Sequence, residues 1–344
     1  MRWNVLLAVL LFVITLGLIF LGMPLYVSFI FILLTLIFGA RVLGDATEEI
    51  ANYYSPTAGG LMNATFGNLP ELIIGFFALK EGLVDVVKAS LTGSIFGNIL
   101  LVFGISIFIG GFKHKEFKLS RHESNVSSTM LLISAFLLLI PSILFVFHEE
   151  KYDVNISYAV AVVLFILYIA SMIFSFYTHK KYFATGEHEK PKMKKWHAVL
   201  LMIGSIIILA VVSELFAARI ETIAHALHWG DLFIGAILVG IVGNAAEHLS
   251  AIQFARKNKA SLVLNTAIGS SLQIAMFVAP VLVLISVLVG NVMSLAFLPI
   301  EIVAILLSIL LMNEISKDEA VNWLEGLQLL VLYIIIAIVF FFYG

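Results

Sequence analysis

The chain has 344 residues, 61% of them hydrophobic and only 12% charged, with a mean hydropathy of +1.08. No water-soluble domain needs that much apolar surface, and a net charge of −2 gives no bulk electrostatic reason to bind nucleic acid or other polyanions. The absence of cysteine excludes disulfides, thiol chemistry and Cys-ligated metals.

A helix needs roughly 20 mostly apolar residues to cross the hydrocarbon core. The long runs here do not alternate in polarity, as the ~10-residue strands of a membrane barrel would. The expected fold is therefore an all-α polytopic membrane protein of eleven transmembrane helices. The predicted spans lie near 4–21, 25–54, 57–79, 84–111, 125–147, 155–178, 196–226, 232–255, 260–289, 292–313 and 323–343. The first reads as a transmembrane helix rather than a signal peptide, because "GMP" leads straight into the next apolar run with no small-residue cleavage site. Phe-rich stretches such as "FIFILLTLIF" are expected to face lipid.

Basic residues gather in the even-numbered loops: Lys113, Lys115, Lys118 and Arg121; then Lys180, Lys181, Lys190, Lys192, Lys194 and Lys195; then Arg256, Lys257 and Lys259. The odd loops and their margins hold only Lys80, Lys88, Lys151 and Arg219. The positive-inside bias thus predicts a multi-pass cell-membrane protein with a cytoplasmic N-terminus and an external C-terminus. The hydrophilic stretch 179–195, with His179 and His188 as solvated loop histidines, reads as a cytoplasmic linker.

Two segments on either side of that linker match. "NATFGNLPELIIGFF" carries Gly67, Asn68 and Glu71; "VGIVGNAAEHLSAI" carries Gly243, Asn244 and Glu247 at the same spacing. "GSIFGN" begins 26 residues after Gly67 and "GSSLQI" 26 residues after Gly243. Upstream, Thr47-Glu48 pairs with Ser213-Glu214. The chain therefore divides into an added N-terminal helix (1–22), a first repeat (23–178), the linker (179–195) and a second repeat (196–344). Each repeat has five spans, an odd number, so the two copies enter the membrane in opposite senses. Inverted repeats of this kind point to a transporter whose site lies at the midplane.

Glu71 shares a helix face with Asn68, Ala64, Gly67 and Gly75, and Glu247 with Gly240, Gly243, Asn244 and Ala251. Small residues allow close helix approach, and glycine eases unwinding so that a carbonyl can turn toward a ligand. Pro70 removes the amide that would bond the carbonyl of Phe66. A charge at the bilayer centre costs on the order of 3 kcal/mol. Two carboxylates sharing one cavity also repel, so the bare pair is expected to hold at least one proton near neutral pH. A divalent cation neutralises both, and Asn68, Asn244 and freed carbonyls then complete a hard-oxygen shell. Glu71 and Glu247 are the predicted metal and proton carriers. The bland alternative is that they cement the halves by hydrogen bonds. Ser94, Asn98, Ser270 and Gln273 are candidates for bonding the carboxylates or carrying protons, or else for packing helices together. Glu48 and Glu214 are accessory acids at span ends, or plain interfacial carboxylates. Arg41 and Asp45 pair on one helix face without an assigned function, and His248 points away from the Glu247 face.

The paired "GNLPE" and "GNAAEH", with "GSIFGNILL" and "GSSLQIA", resemble the two α-repeats of the cation/proton exchanger branch of the Ca²⁺/cation antiporter superfamily. The resemblance covers nearly the whole chain from residue 40 onward. It implies export of Ca²⁺ in exchange for H⁺, with Glu71 and Glu247 as central carriers and Asn68 and Asn244 beside them. It places Gly67 and Gly243 as carbonyl donors and links Asn98 and Gln273 to proton coupling. It alone implies a homo-oligomer, and it implies no cofactor. The Na⁺/Ca²⁺ branch typically shows Gly-Thr-Ser before its first acid, whereas Asn follows Gly in both repeats here. The linker holds only Glu187 and Glu189 among six lysines, unlike the long acidic helix of many eukaryotic members. Competing readings are a Na⁺/Ca²⁺ or other divalent-cation exchanger, a cation channel, and an intramembrane enzyme using His248 and Ser250. A channel gathers its filter from several subunits, and His248 and Ser250, two apart, do not face each other.

Overall fold

The computed structural model describes residues 2–115, 117–118, 121–147, 153–179, 190–317 and 320–343. Most of the predicted linker, with His188, Glu187 and Glu189, lies outside the described residues. In a hydrocarbon core every backbone polar group must bond within its own segment, and the long apolar runs accordingly form helices. They are α1 (Arg2–Phe20), α2 (Leu25–Ala51), α3 (Pro56–Phe66), α4 (Leu69–Lys80), α5 (Val84–His114), α6 (Arg121–Phe147), α7 (Val154–Thr178), α8 (Lys195–Leu227), α9 (Asp231–Gly243), α10 (Ala245–Arg256), α11 (Ala260–Val289), α12 (Pro299–Ile315) and α13 (Trp323–Tyr343).

Eight of these are individually long and apolar enough to cross a bilayer, and α9 with α10 forms a ninth crossing bent by 59°. The remaining predicted segments are helical too. Segment 57–79 is the broken pair α3 and α4, and α12 is a single rod of 17 residues. The protein is an all-α polytopic membrane protein.

Two apolar cores hold the bundle. In one, Ile32, Leu36 and Leu43 of α2 pack on Leu209, Val212 and Phe216 of α8, and the rings of Phe29 and Phe216 stack at 5.5 Å. The other runs through α5, α6, α7 and α11 to α13, with Phe96, Phe103, Leu138, Ile268, Ile309 and Phe340 fully buried or nearly so. The added helix α1 lies against α2, where the Thr15 and Thr35 hydroxyls meet at 2.9 Å.

The tenth segment departs from the prediction at its start. It is helical only from Pro299, not from residue 292, because Pro299 sits in the first turn, where its missing amide costs nothing. The preceding stretch is irregular yet buried at Met293, Leu295 and Phe297. Side-chain hydroxyls satisfy its backbone. Ser157 Oγ accepts from the amide of Leu295 at 2.9 Å, and Ser142 Oγ accepts from the amide of Phe297 at 2.9 Å while donating to the carbonyl of Leu295 at 2.8 Å. Glu301 closes the cap, accepting from the amide of Leu298 at 2.8 Å and from Thr92 Oγ1 at 2.9 Å. Ser142→Ala orphans a buried amide and a buried carbonyl, so it should destabilise the protein by about 1–3 kcal/mol, read as a lower thermal midpoint in detergent.

Candidate ion-binding site

The two signature segments break their helices at the same place. Asn68, between α3 and α4, has φ −92° and ψ 19°; Asn244, between α9 and α10, has φ −90° and ψ 15°. Each break starts a new helix whose third residue is the glutamate, Glu71 in α4 and Glu247 in α10. Both carboxylates therefore sit in a first turn, where the unpaired amides and the helix dipole favour negative charge. Pro70 occupies the same turn, so its missing amide removes no needed bond. That is why Ala246 serves equally well in the second copy.

The halves cross so that each carboxylate lies beside the other's glycine. A Cβ on Gly243 would stand 3.1 Å from Glu71 Cγ, and one on Gly67 would stand 3.8 Å from Glu247 Oε1. This reciprocity is what two copies related by an in-plane pseudo-twofold produce. Glu71 is buried, Glu247 half-buried, and neither faces lipid alone. A cavity of ≈ 10 Å³, about the room one water needs, is lined by Glu71, Ser90, Leu91, Ser94, Val239, Gly243 and Ile274.

On one side the amides are oriented by a backbone carbonyl. Asn244 Nδ2 donates to the carbonyl of Gly240 at 2.8 Å and to Ser94 Oγ at 2.7 Å. Its Oδ1 consequently accepts from Asn98 Nδ2 at 3.1 Å, which leaves Asn98 Oδ1 without a donor. On the other side Asn68 Nδ2 donates to Gln273 Oε1, leaving Asn68 Oδ1 free. Asn68 Oδ1, Asn98 Oδ1, both oxygens of Glu71 and Oε2 of Glu247 are all buried without a hydrogen-bond partner. Buried acceptors normally find donors; these five lack them, which makes the group a candidate socket for a cation or for protons. No cluster of three or more His, Asp and Glu side chains placed to hold a metal occurs among the described residues, so the socket consists of two carboxylates and neutral oxygens.

The chain matches the profile described as sodium/calcium exchanger protein over residues 24–177 and 197–342. The chain belongs to the sodium/calcium exchanger protein family. It is 43% identical over 328 residues to a Ca²⁺/H⁺ antiporter of Synechocystis, covering 88% of each chain, and 42% identical over 325 residues to the Ca²⁺/H⁺ antiporter ChaA of Bacillus subtilis, covering 92% of this chain and 93% of that one. Its structure superposes on that of native YfkE with a TM-score of 0.87 at 38% identity, over 98% of this chain and 99% of the other.

In this exchanger-family chain the predicted residues divide clearly. Asn68, Asn98, Asn244, Gln273 and Ser94 join the network around Glu71 and Glu247. Ser270 is buried on α11, but no hydrogen bond joins it to that network among the described residues. Glu48 is exposed at the end of α2, and Glu214 lies well inside α8, where it is half-exposed and ion-paired with Lys80 at 2.7 Å. Neither reaches the socket. Sequence reasoning missed Ser90, which lines the cavity, and Glu49, which is buried and accepts from the backbone amides of Lys192 and Met193 at the end of the linker. Only helix phase separates Glu49 from Glu48. It also left Arg41 idle, although the structure engages it with α10.

The two ends of the site differ. At the end away from the linker, a Cβ on Gly93 of α5 would come within 2.0 Å of the carbonyl oxygen of Ala236, and one on Gly235 of α9 within 2.3 Å of that of Val86. Backbone rests on backbone there. At the linker end the counterpart of Gly93 is Gly269, and a Cβ there meets nothing within 4 Å. Gly93→Ala should therefore cost on the order of 1–3 kcal/mol of thermal stability, measured by melting in detergent. Gly269→Ala should leave the melting temperature unchanged.

Proposed function

We propose that this protein is a secondary antiporter that moves Ca²⁺ against H⁺ through one socket, occupied alternately by a divalent cation or by protons on Glu71 and Glu247. The observation that carries the reading is the set of buried, unpartnered oxygens around two carboxylates, one from each repeat. The named activity of relatives at 42–43% identity supports the same exchange.

The chemistry follows from charge. Two carboxylates balance one Ca²⁺, and Asn68 Oδ1 and Asn98 Oδ1 add the neutral hard oxygens that Ca²⁺ prefers. The same carboxylates, protonated, are neutral without metal. Each occupancy excludes the other, which fits two protons per Ca²⁺. If only neutralised forms cross between the two access states, exchange is obligatory, because bare charge in the closed core is costly. Ser94 Oγ accepts from Asn244, so its hydroxyl proton is free to turn toward the cavity that Glu71 shares, a route for loading protons. Asn98 and Gln273 tie the broken helices to α5 and α11, so a change of charge at either acid is felt by both halves.

In this reading the repeats 23–178 and 196–344 are the halves that move, with 1–22 and the linker 179–195 outside them. The basic loops favour a cytoplasmic linker and an external C-terminus. The arrangement, with backbone on backbone at the far end and room beside Gly269 at the linker end, is then the inward-facing one. Asn in place of Gly-Thr-Ser beside the first acid favours H⁺ over Na⁺ as the counter-ion.

Liposomes with the purified protein provide the test. A pH gradient should drive radiolabelled Ca²⁺ uptake, and added Ca²⁺ should dissipate the gradient. Glu71→Gln and Glu247→Gln should each abolish both fluxes; exchange that survives either change refutes the site assignment. Because protons compete for the same oxygens, the apparent KM for Ca²⁺ should rise as the loading side is acidified and fall as it is made alkaline. A KM independent of pH would sink the shared-site mechanism.

A further inference from the structure

We propose that Arg41 is a positioning residue for Glu247, a guanidinium that ties α2 to the half-helix carrying that carboxylate. The proposal rests on the reading of Glu247 as an ion carrier.

Arg41 and Asp45 are mostly buried, with side-chain exposures of 16% and 13%, and pair through Nε and Oδ1 at 3.2 Å. The pair does not end there. Arg41 Nη1 donates to Ser250 Oγ at 2.9 Å and to the carbonyl of Ala246 at 3.4 Å. Ser250 Oγ donates to the same carbonyl at 2.9 Å. Guanidinium, hydroxyl and carbonyl thus close a ring on the residue immediately before Glu247. Close packing puts the two helices in register, since a Cβ on Gly44 of α2 would be 3.6 Å from Ala246 Cβ. Behind the guanidinium, Asp45 Oδ2 accepts from Asn4 Nδ2 at 3.1 Å. The helix that lies outside both repeats is therefore joined to the start of α10 by an unbroken polar run.

The run exists in one repeat only. Where Ser213 stands for Thr47, the place of Arg41 falls to Ile207 and that of Asp45 to Val211, at 57% and 36% exposure. Among the described residues no such clamp bears on the half-helix of Glu71. A buried cation that touches no ligand is costly to keep in a membrane, and its fork lets Nε hold Asp45 while the two hydrogens of Nη1 serve Ser250 and the carbonyl of Ala246. A lysine there offers a single point charge and reproduces only part of this. By fixing the first turn of α10 in height and rotation, Arg41 sets where Glu247 presents its oxygens. A mere stabilising pair would change yield and melting temperature without moving affinity.

The test uses the full chain in liposomes, with Ca²⁺ uptake driven by a pH gradient. Arg41→Gln combined with Asp45→Asn removes both charges and leaves no orphaned acid. It should raise the KM for Ca²⁺ roughly tenfold, the size expected when a partner that orients a ligand is lost, with Vmax changed far less. Arg41→Lys should recover part of the loss. Ser250→Ala, which keeps every charge, should raise KM by a smaller factor, and it decides the matter if the double variant does not fold. A KM within about twofold of wild type in the folded variants overturns the proposal, as does a loss confined to Vmax. If the wild-type chain itself exchanges no Ca²⁺ for H⁺, the functional reading fails instead, and the two failures are told apart in the same assay.

Discussion

Two carboxylates, one from each signature segment, are held inside an apolar helical bundle beside each other's glycine, and much of the architecture answers to that. Each is placed in the first turn of a half-helix, where backbone amides lack partners and the dipole is favourable. To create those first turns the chain breaks two membrane helices at Asn68 and Asn244, in nearly the same backbone conformation. Such breaks are tolerated at membrane depth only where protein or a cavity surrounds them, so the remaining helices must enclose the pair. The glycine before each break lets the opposite carboxylate approach, and the reciprocal Gly67–Glu247 and Gly243–Glu71 contacts follow.

The surrounding amides are arranged so that polarity runs one way. The carbonyl of Gly240 takes a proton donor from Asn244; Asn244 then accepts from Asn98; and the oxygen of Asn98 is left over for the socket. A polar network of this kind inside an apolar core is costly when partly satisfied. Here the unsatisfied atoms are all oxygens. That bias suits cations and would disfavour anions or a neutral solute.

Symmetry is obeyed by the chemistry and broken by the packing. Thr47 and Ser213 are equally buried, and Glu48 and Glu214 are both exposed, as the repeat relation requires. Yet Gly93 is pressed on Ala236 while Gly269 faces open space. Two equivalent sequences in unequal surroundings are what a carrier open at one end must show. The clamp of Arg41 on α10 and the hold of Glu49 on the linker have no second copy, so one half is tethered more heavily than the other.

The sequence by itself determined the membrane class and the segments that become helices, and it pointed to the two repeats and the two acids. These follow from one-dimensional quantities: apolar run length, loop charge and the recurrence of a short motif. It also offered Gly-Asn as a place where the helices could unwind, since glycine eases a turn out of the helix. Tertiary structure decided the rest. Helix phase cannot separate Glu48 from Glu49, and only the fold shows one exposed and the other buried on the linker. The late start of α12 depended on hydroxyls from α6 and α7, which no local pattern around Pro299 reveals. Arg41 read as half of an i, i+4 pair because its further partners, Ser250 and Ala246, are more than 200 residues away. The unequal packing at Gly93 and Gly269 arises between matching motifs, and the match itself carries no record of it.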